Sequence, residues 1–93
     1  MQMISILYSE RDYEAASIAL KVQSLSQNQQ ISIYIVPKHY GRSQVAVYQK
    51  LNTTKAAIFL ACESKTIDPL TTNELLHLRK KRIPIKYIVK RHI

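Results

Sequence analysis

A chain of 93 residues with 46% apolar and 22% charged side chains has the composition of one folded domain rather than of a disordered segment. Fourteen lysines and arginines against six acids leave a net charge of +8, which favours anionic partners. No apolar run approaches the roughly 18–20 residues that cross a bilayer, the opening MQMISILYSERD lacks the basic segment and cleavage site of a secretory leader, and the lone Cys62 cannot pair within the chain. A cytoplasmic protein with no membrane partner is therefore expected.

In chain order, Met3 to Tyr8 (MISILY) predicts a first strand. Ser9-Glu10-Arg11-Asp12 has the S-x-x-D form of a capping signal and opens a helix to about Leu25. Within it Ala15, Ile18, Ala19, Val22 and Leu25 recur at helical spacing, which predicts one buried stripe. After the polar turn SQNQQ, Ile31 to Val36 reads as a second strand, stopped by Pro37, which has no N–H to give a ladder. The loop PKHYGRS leads into a short helix, about Ser43 to Leu51.

Lys55 to Cys62 (KAAIFLAC) is apolar on both faces and so belongs in the middle of a sheet. The polar loop ESKTI runs into a helix from Asp68 or Thr71 to Lys81. In the last strand, Ile83 to Lys90, a proline and two lysines suit an edge.

Strands and helices that alternate in this way require crossovers, hence an α/β domain over residues 1–93 with a four-stranded, mostly parallel sheet and three helices. Placing the two most apolar strands centrally gives the order 2-1-3-4 of a shortened flavodoxin-like sheet. The first helix then covers one face and the other two the opposite face. Half of the first helix's face stays open unless a second subunit covers it, so a homodimer is expected.

In open parallel sheets ligands bind beyond the carboxyl ends of the strands, where the strand order reverses. That point gathers Ser9, Glu10, Arg11 and Asp12 from one loop and Cys62, Glu63, Ser64 and Lys65 from another, with Lys38, His39 and Arg42 at the same end. Ser9, Arg11, Lys38, Glu63 and Ser64 are the candidate ligand-binding residues. Arg11 could instead pair with Glu10 or Glu14 on the surface. No glycine-rich phosphate loop and no paired cysteine or histidine spacing is present, and His39, His77 and His92 are scattered, so no metal site is expected. Cys62 reads as a small buried residue, and Tyr34, Tyr40, Tyr48 and Tyr87 read as half-buried packing residues rather than base-stacking platforms.

The charge is uneven. All six acids lie at or before Glu74, whereas Arg79, Lys80, Lys81, Arg82, Lys86, Lys90 and Arg91 follow it with none between. This stretch is a candidate surface for nucleic acid or another polyanion; a solvated helix end beside a charge-protected edge strand is the alternative.

ISILYSERDYEAASIALKVQSL resembles the first strand and helix of TIR domains, and KAAIFLACESKTIDPLTTNELLHLRKKRIPIKYIV resembles their later half. In the first segment the likeness lies in an aliphatic run, a Tyr-Ser and a charged pair before the helix. In the second, a serine precedes a Glu-Leu pair on a helix and an I-P-I strand follows. The resemblance implies a flavodoxin-like fold and a signalling or defence domain that binds a nucleotide, with NAD or another nucleotide as substrate or ligand. It also implies cleavage of the nicotinamide–ribose bond through Glu74, with Ser9, Arg11 and Ser64 near the ligand. The local pattern Thr71-Thr72-Asn73-Glu74 offers Glu74 a different role, that of a capping box. The sequence leaves open whether the chain is an enzyme. The alternatives are a non-enzymatic, basic, dimeric nucleic-acid-binding module and a protein-interaction adaptor that uses the open sheet face.

Overall fold

The computed structural model describes residues 2–27, 29–37, 43–63 and 66–90. Strand β1 (Gln2–Tyr8) runs between β2 (Ile31–Ile35) and β3 (Ala56–Ala61), and β4 (Ile85–Val89) extends the sheet beyond β3. All three pairings are parallel, which gives the order β2-β1-β3-β4. Ile4 lies opposite Ile33 on one side and Ala56 on the other. Helices α1 (Tyr13–Leu25), α2 (Gln44–Asn52) and α3 (Pro69–Lys80) supply the crossovers.

Because side chains alternate across a strand, each strand serves two layers. Leu7 of β1 and Ala57 and Phe59 of β3 pack with Val47 and Leu51 of α2 and Leu75 and Leu78 of α3. Ile6 and Leu60 face the other way, onto Ala15 and Ala19 of α1. The predicted distribution of one helix against two is therefore observed. A buried serine in the central strand is satisfied in place: the Ser5 hydroxyl donates to Thr54 Oγ1 at 2.8 Å, and the Thr54 hydroxyl in turn shares its one proton between the Met3 and Ala56 carbonyls. This links β1 to the turn that leads into β3.

The stripe predicted on α1 is only partly buried. Ala15 and Ala19 are fully enclosed, but Ile18, Val22 and Leu25 remain 36, 37 and 76% exposed. The helix lies over β1 and β2, where Ile33 and Ile35 join its core and the Gln23 amide donates to the Ile33 carbonyl. The β3–β4 half of that face is left as an apolar groove of about 380 Å³, floored by Ile58, Leu60 and Ile88.

Two capping assignments also change. The N-cap of α1 is Asp12 rather than Ser9, and its carboxylate accepts from the Ala15 amide. The N-cap of α3 is Asp68, followed by Pro69 at the first helical position, where a missing N–H is harmless. The Thr71 amide therefore donates to Asp68 rather than, as the predicted capping box required, to the Glu74 carboxylate. At the other end of α3, Ile83 N–H reaches back to the Leu78 carbonyl, and Arg82 takes a left-handed conformation, φ 58°, a place more often held by glycine. Strand β4 is shorter than predicted, yet Pro84 still accepts from Ala57 and Lys90 donates to Ala61 at its two ends.

Candidate functional site

At the carboxyl ends of β1 and β3 the two loops are stitched together by carboxylates. The Asp12 side chain is buried and receives three amides: Ala15 N at 3.1 Å and Glu63 N at 3.1 Å on Oδ1, and Cys62 N at 2.8 Å on Oδ2. One anion thus caps α1 and pins the first residues after β3. Glu63 reciprocates, since its Oε1 accepts from the Glu14 amide in the first turn of α1 at 2.8 Å. Both carboxylates sit where the helix dipole is positive.

A second set of bonds ties the same loop to the start of α3. The Ser9 hydroxyl donates to the Thr66 carbonyl at 2.9 Å, and the Glu10 amide donates to Asp68 Oδ1 at 3.0 Å. Asp68 also caps α3 and accepts from the Thr71 hydroxyl at 2.8 Å. Between these loops lies a crevice of about 230 Å³ lined by Ser9, Glu10, Arg11, Thr66 and Asp68. It lies at the end of the sheet where strand order reverses, the position expected from the topology. Arg11 is exposed at its edge, with a guanidinium suited to bidentate binding of a phosphate or carboxylate.

The predicted ligand-binding residues divide as follows. Ser9 and Arg11 line the crevice. Glu63 turns its carboxylate to the N-terminus of α1. Lys38 and Ser64 lie outside the described residues, as do His39, Tyr40, Arg42, Lys65 and Arg91. Glu74 is fully buried one helical turn beyond Thr71, on the same side of α3, and the Thr71 hydroxyl oxygen, whose closer partner is Asp68, lies 3.4 Å from the Tyr8 carbonyl at the end of β1. Cys62 is buried as expected, and burial, followed by the negative charges of Asp12 and Glu14, pushes its thiol pKa up. That disfavours the thiolate and a nucleophilic role.

The basic residues do not form one surface. Arg79, Lys80, Lys81 and Arg82 cluster at the C-terminal end of α3. Lys86 lies opposite Ile58 in register, and so on the α1 side of the sheet. Lys90 lies at the far end of β4 and is ion-paired with Glu14. The Arg79 guanidinium instead crosses to the α3 side of β4, where it donates to the Tyr87 hydroxyl at 2.6 Å and lies 5.8 Å from the ring centroid.

Periodicity alone did not reveal a second concavity between α2 and α3. It encloses about 560 Å³ and is lined by Tyr48, Asn73, Leu76, His77, Arg79 and Lys80. The Tyr48 and His77 rings stack with centroids 4.6 Å apart and planes 25° from parallel, and His77 Nε2 meets Asn52 Oδ1 at 2.6 Å. Burial, then the charges of Lys81 and Lys80, hold the His77 pKa below its ordinary value. The neutral ring is therefore favoured in the folded chain, and its contribution to stability is present above the ordinary histidine pKa and lost as pH falls through the lowered one. An NMR titration of the His77 ring should give a midpoint below the free-histidine value of about 6.5, with native stability falling through the same interval. A midpoint at or above that value would show that the lysines and burial do not act on the ring.

The architecture is that of a parallel α/β sheet in the flavodoxin-like order. The sequence matches no known family profile and no curated protein. Among solved structures it is similar to a 2-desoxiribosyltransferase from Leishmania mexicana, with a TM-score of 0.71 at 15% identity; the match covers 98% of this chain and 66% of that one. At that identity the likeness is one of fold, and this chain spans just under two thirds of its neighbour's length.

Proposed function

We propose that the chain is a nucleoside- or nucleotide-binding domain whose ligand sits at the carboxyl ends of β1 and β3. The observation that carries this reading is the crevice between the β1–α1 loop and the start of α3, with its hydrogen-bonded walls and the Arg11 guanidinium at its edge. The shared fold with an enzyme named for transfer of a desoxyribosyl group supports a sugar–base ligand of this kind. The resemblance to TIR domains supports a finer version, hydrolysis of NAD in a signalling or defence role.

In that version Glu74 supplies the negative charge that stabilises the ribose cation as the bond to nicotinamide breaks. Nicotinamide leaves with the bonding electron pair and becomes neutral, then water adds to the sugar carbon and releases a proton. Glu74 is fully buried on α3 and does not line the crevice. This version therefore requires the ligand to reach past that lining to a carboxylate whose low-dielectric surroundings strengthen such an interaction.

The test is turnover of NAD, and separately of purine and pyrimidine nucleosides, by the wild-type chain, Glu74→Gln and Arg11→Ala, with thermal unfolding to confirm each fold. Loss of about 10²–10³-fold in Glu74→Gln is expected for removal of one preorganised electrostatic group. Arg11→Ala should weaken apparent substrate affinity and leave folding unchanged. Absence of both binding and turnover at high protein concentration would remove the proposal. Binding without turnover would retain the nucleotide-binding domain and remove its hydrolytic version.

A further inference from the structure

We infer that the groove between α2 and α3 is a binding site for single-stranded nucleic acid, distinct from the carboxyl-end crevice. A single strand presents flat bases and a regular line of phosphates, and proteins hold it by pairing stacking platforms with cations. The groove offers both: the stacked Tyr48 and His77 rings form part of its lining, and Arg79 and Lys80 line it beside them. Leu76, exposed on α3, adds apolar surface to the lining.

The aromatic surface extends past the groove, because Arg79 links it to the half-exposed Tyr87 ring on β4. The guanidinium uses one nitrogen on the tyrosine hydroxyl, and its remaining N–H groups can still meet a phosphate. Electrostatics point the same way. Helix α2 carries no acid, and the only acid of α3, Glu74, is fully buried and exposes no carboxylate in the groove. The cations at the end of α3 therefore face the groove without a competing carboxylate on either helix. The groove's volume falls within the usual range of roughly 300–1,000 Å³ for small-molecule sites, enough for a base rather than a duplex. Lys86 and Lys90 lie away from this surface, which separates the site from the general excess of positive charge.

The experiment is fluorescence anisotropy with a labelled oligothymidylate, competed with unlabelled duplex of the same length and with thymidine monophosphate. The oligonucleotide should bind, and its affinity should fall roughly ten- to twentyfold between about 50 and 200 mM salt, the dependence expected of about three phosphate contacts on a single strand. His77→Ala should weaken binding at least about fivefold through the lost stacking surface. Lys80→Glu, an exposed change that leaves the core untouched, should weaken binding and flatten the salt dependence, whereas Lys86→Glu should change affinity less than twofold. Equal losses from Lys80→Glu and Lys86→Glu would overturn the site in favour of diffuse charge attraction. So would duplex competing as well as single strand, monophosphate competing as well as the oligonucleotide, or no binding at low salt. None of these outcomes depends on Glu74 or Arg11, so failure here leaves the carboxyl-end reading intact, and the converse holds.

Discussion

Replacing Asp12 with alanine should destabilise the fold by about 3–5 kcal/mol, more than any other single polar substitution described here. The carboxylate receives the amides of Ala15, Cys62 and Glu63, and the bonds to Ala15 and Cys62 are buried. Removing it leaves the buried Ala15 and Cys62 amides without their acceptor, at about 1–3 kcal/mol each, the Ala15 bond being itself the N-cap of α1, and also releases the part-buried Glu63 amide. Asp12→Asn keeps one acceptor oxygen but turns an NH₂ toward amide donors, so it should fall between alanine and wild type. Urea unfolding of the three proteins orders them directly. If Asp12→Ala lies within about 1 kcal/mol of wild type, the clasp is not what joins the two loops. The loss should also be felt at the crevice, because the same carboxylate sets the chain direction after β3.

The second large effect is expected at Leu7. This residue lies in the central strand with no exposed surface, and packs with Val36, Val47, Leu51, Leu75 and Leu78, so both α2 and α3 depend on it. Leu7→Ala should cost about 2–5 kcal/mol, combining lost transfer energy with the cavity left where two helices meet one strand. Ile88→Ala offers the contrast. Its side chain is 45% exposed on the uncovered half of the sheet, and the same kind of truncation should cost less than about 1 kcal/mol. Comparable losses at the two positions would mean that the open half-face is covered in solution.

The sheet order was legible because its causes are local and compositional. β1 and β3 are apolar runs without proline, while β4 is entered through Pro84 and bears Lys86, so the strands sort themselves between centre and edge. The exposure of Ile18, Val22 and Leu25 was only half legible. The helix count already left half of that sheet face open, but helical spacing alone placed all three in one buried stripe. The caps were misplaced by one residue type: serine and threonine hydroxyls at Ser9 and Thr71 fit the sequence pattern, but the nearby carboxylates of Asp12 and Asp68 took the amides instead. Of the two starts the sequence offered for α3, Asp68 is the observed one, and Pro69 directly after it is the signal that favours it.

The site followed the same division. Its end of the sheet could be inferred from topology, and Ser9 and Arg11 do line the crevice. Its closure could not, since the Asp12 bonds to Cys62 and Glu63 join residues 50 and 51 positions apart and no local pattern encodes them. The pairing of Tyr48 with His77 likewise exists only once α2 and α3 lie side by side.

The central place of β1 has a consequence for how the chain is made. The strand is synthesised before both of its partners, β2, whose register begins at Ile31, and β3, whose register begins at Ala56. Until both have emerged, MISILY is an apolar segment with unsatisfied edges on each side, and α1 has only half a surface to rest on. Closing these long loops precedes most of the stabilising contacts, so folding should be slow for so small a protein. The surplus of lysine and arginine gives little protection during that interval, because half of the cations follow Glu74 and are made only after β3.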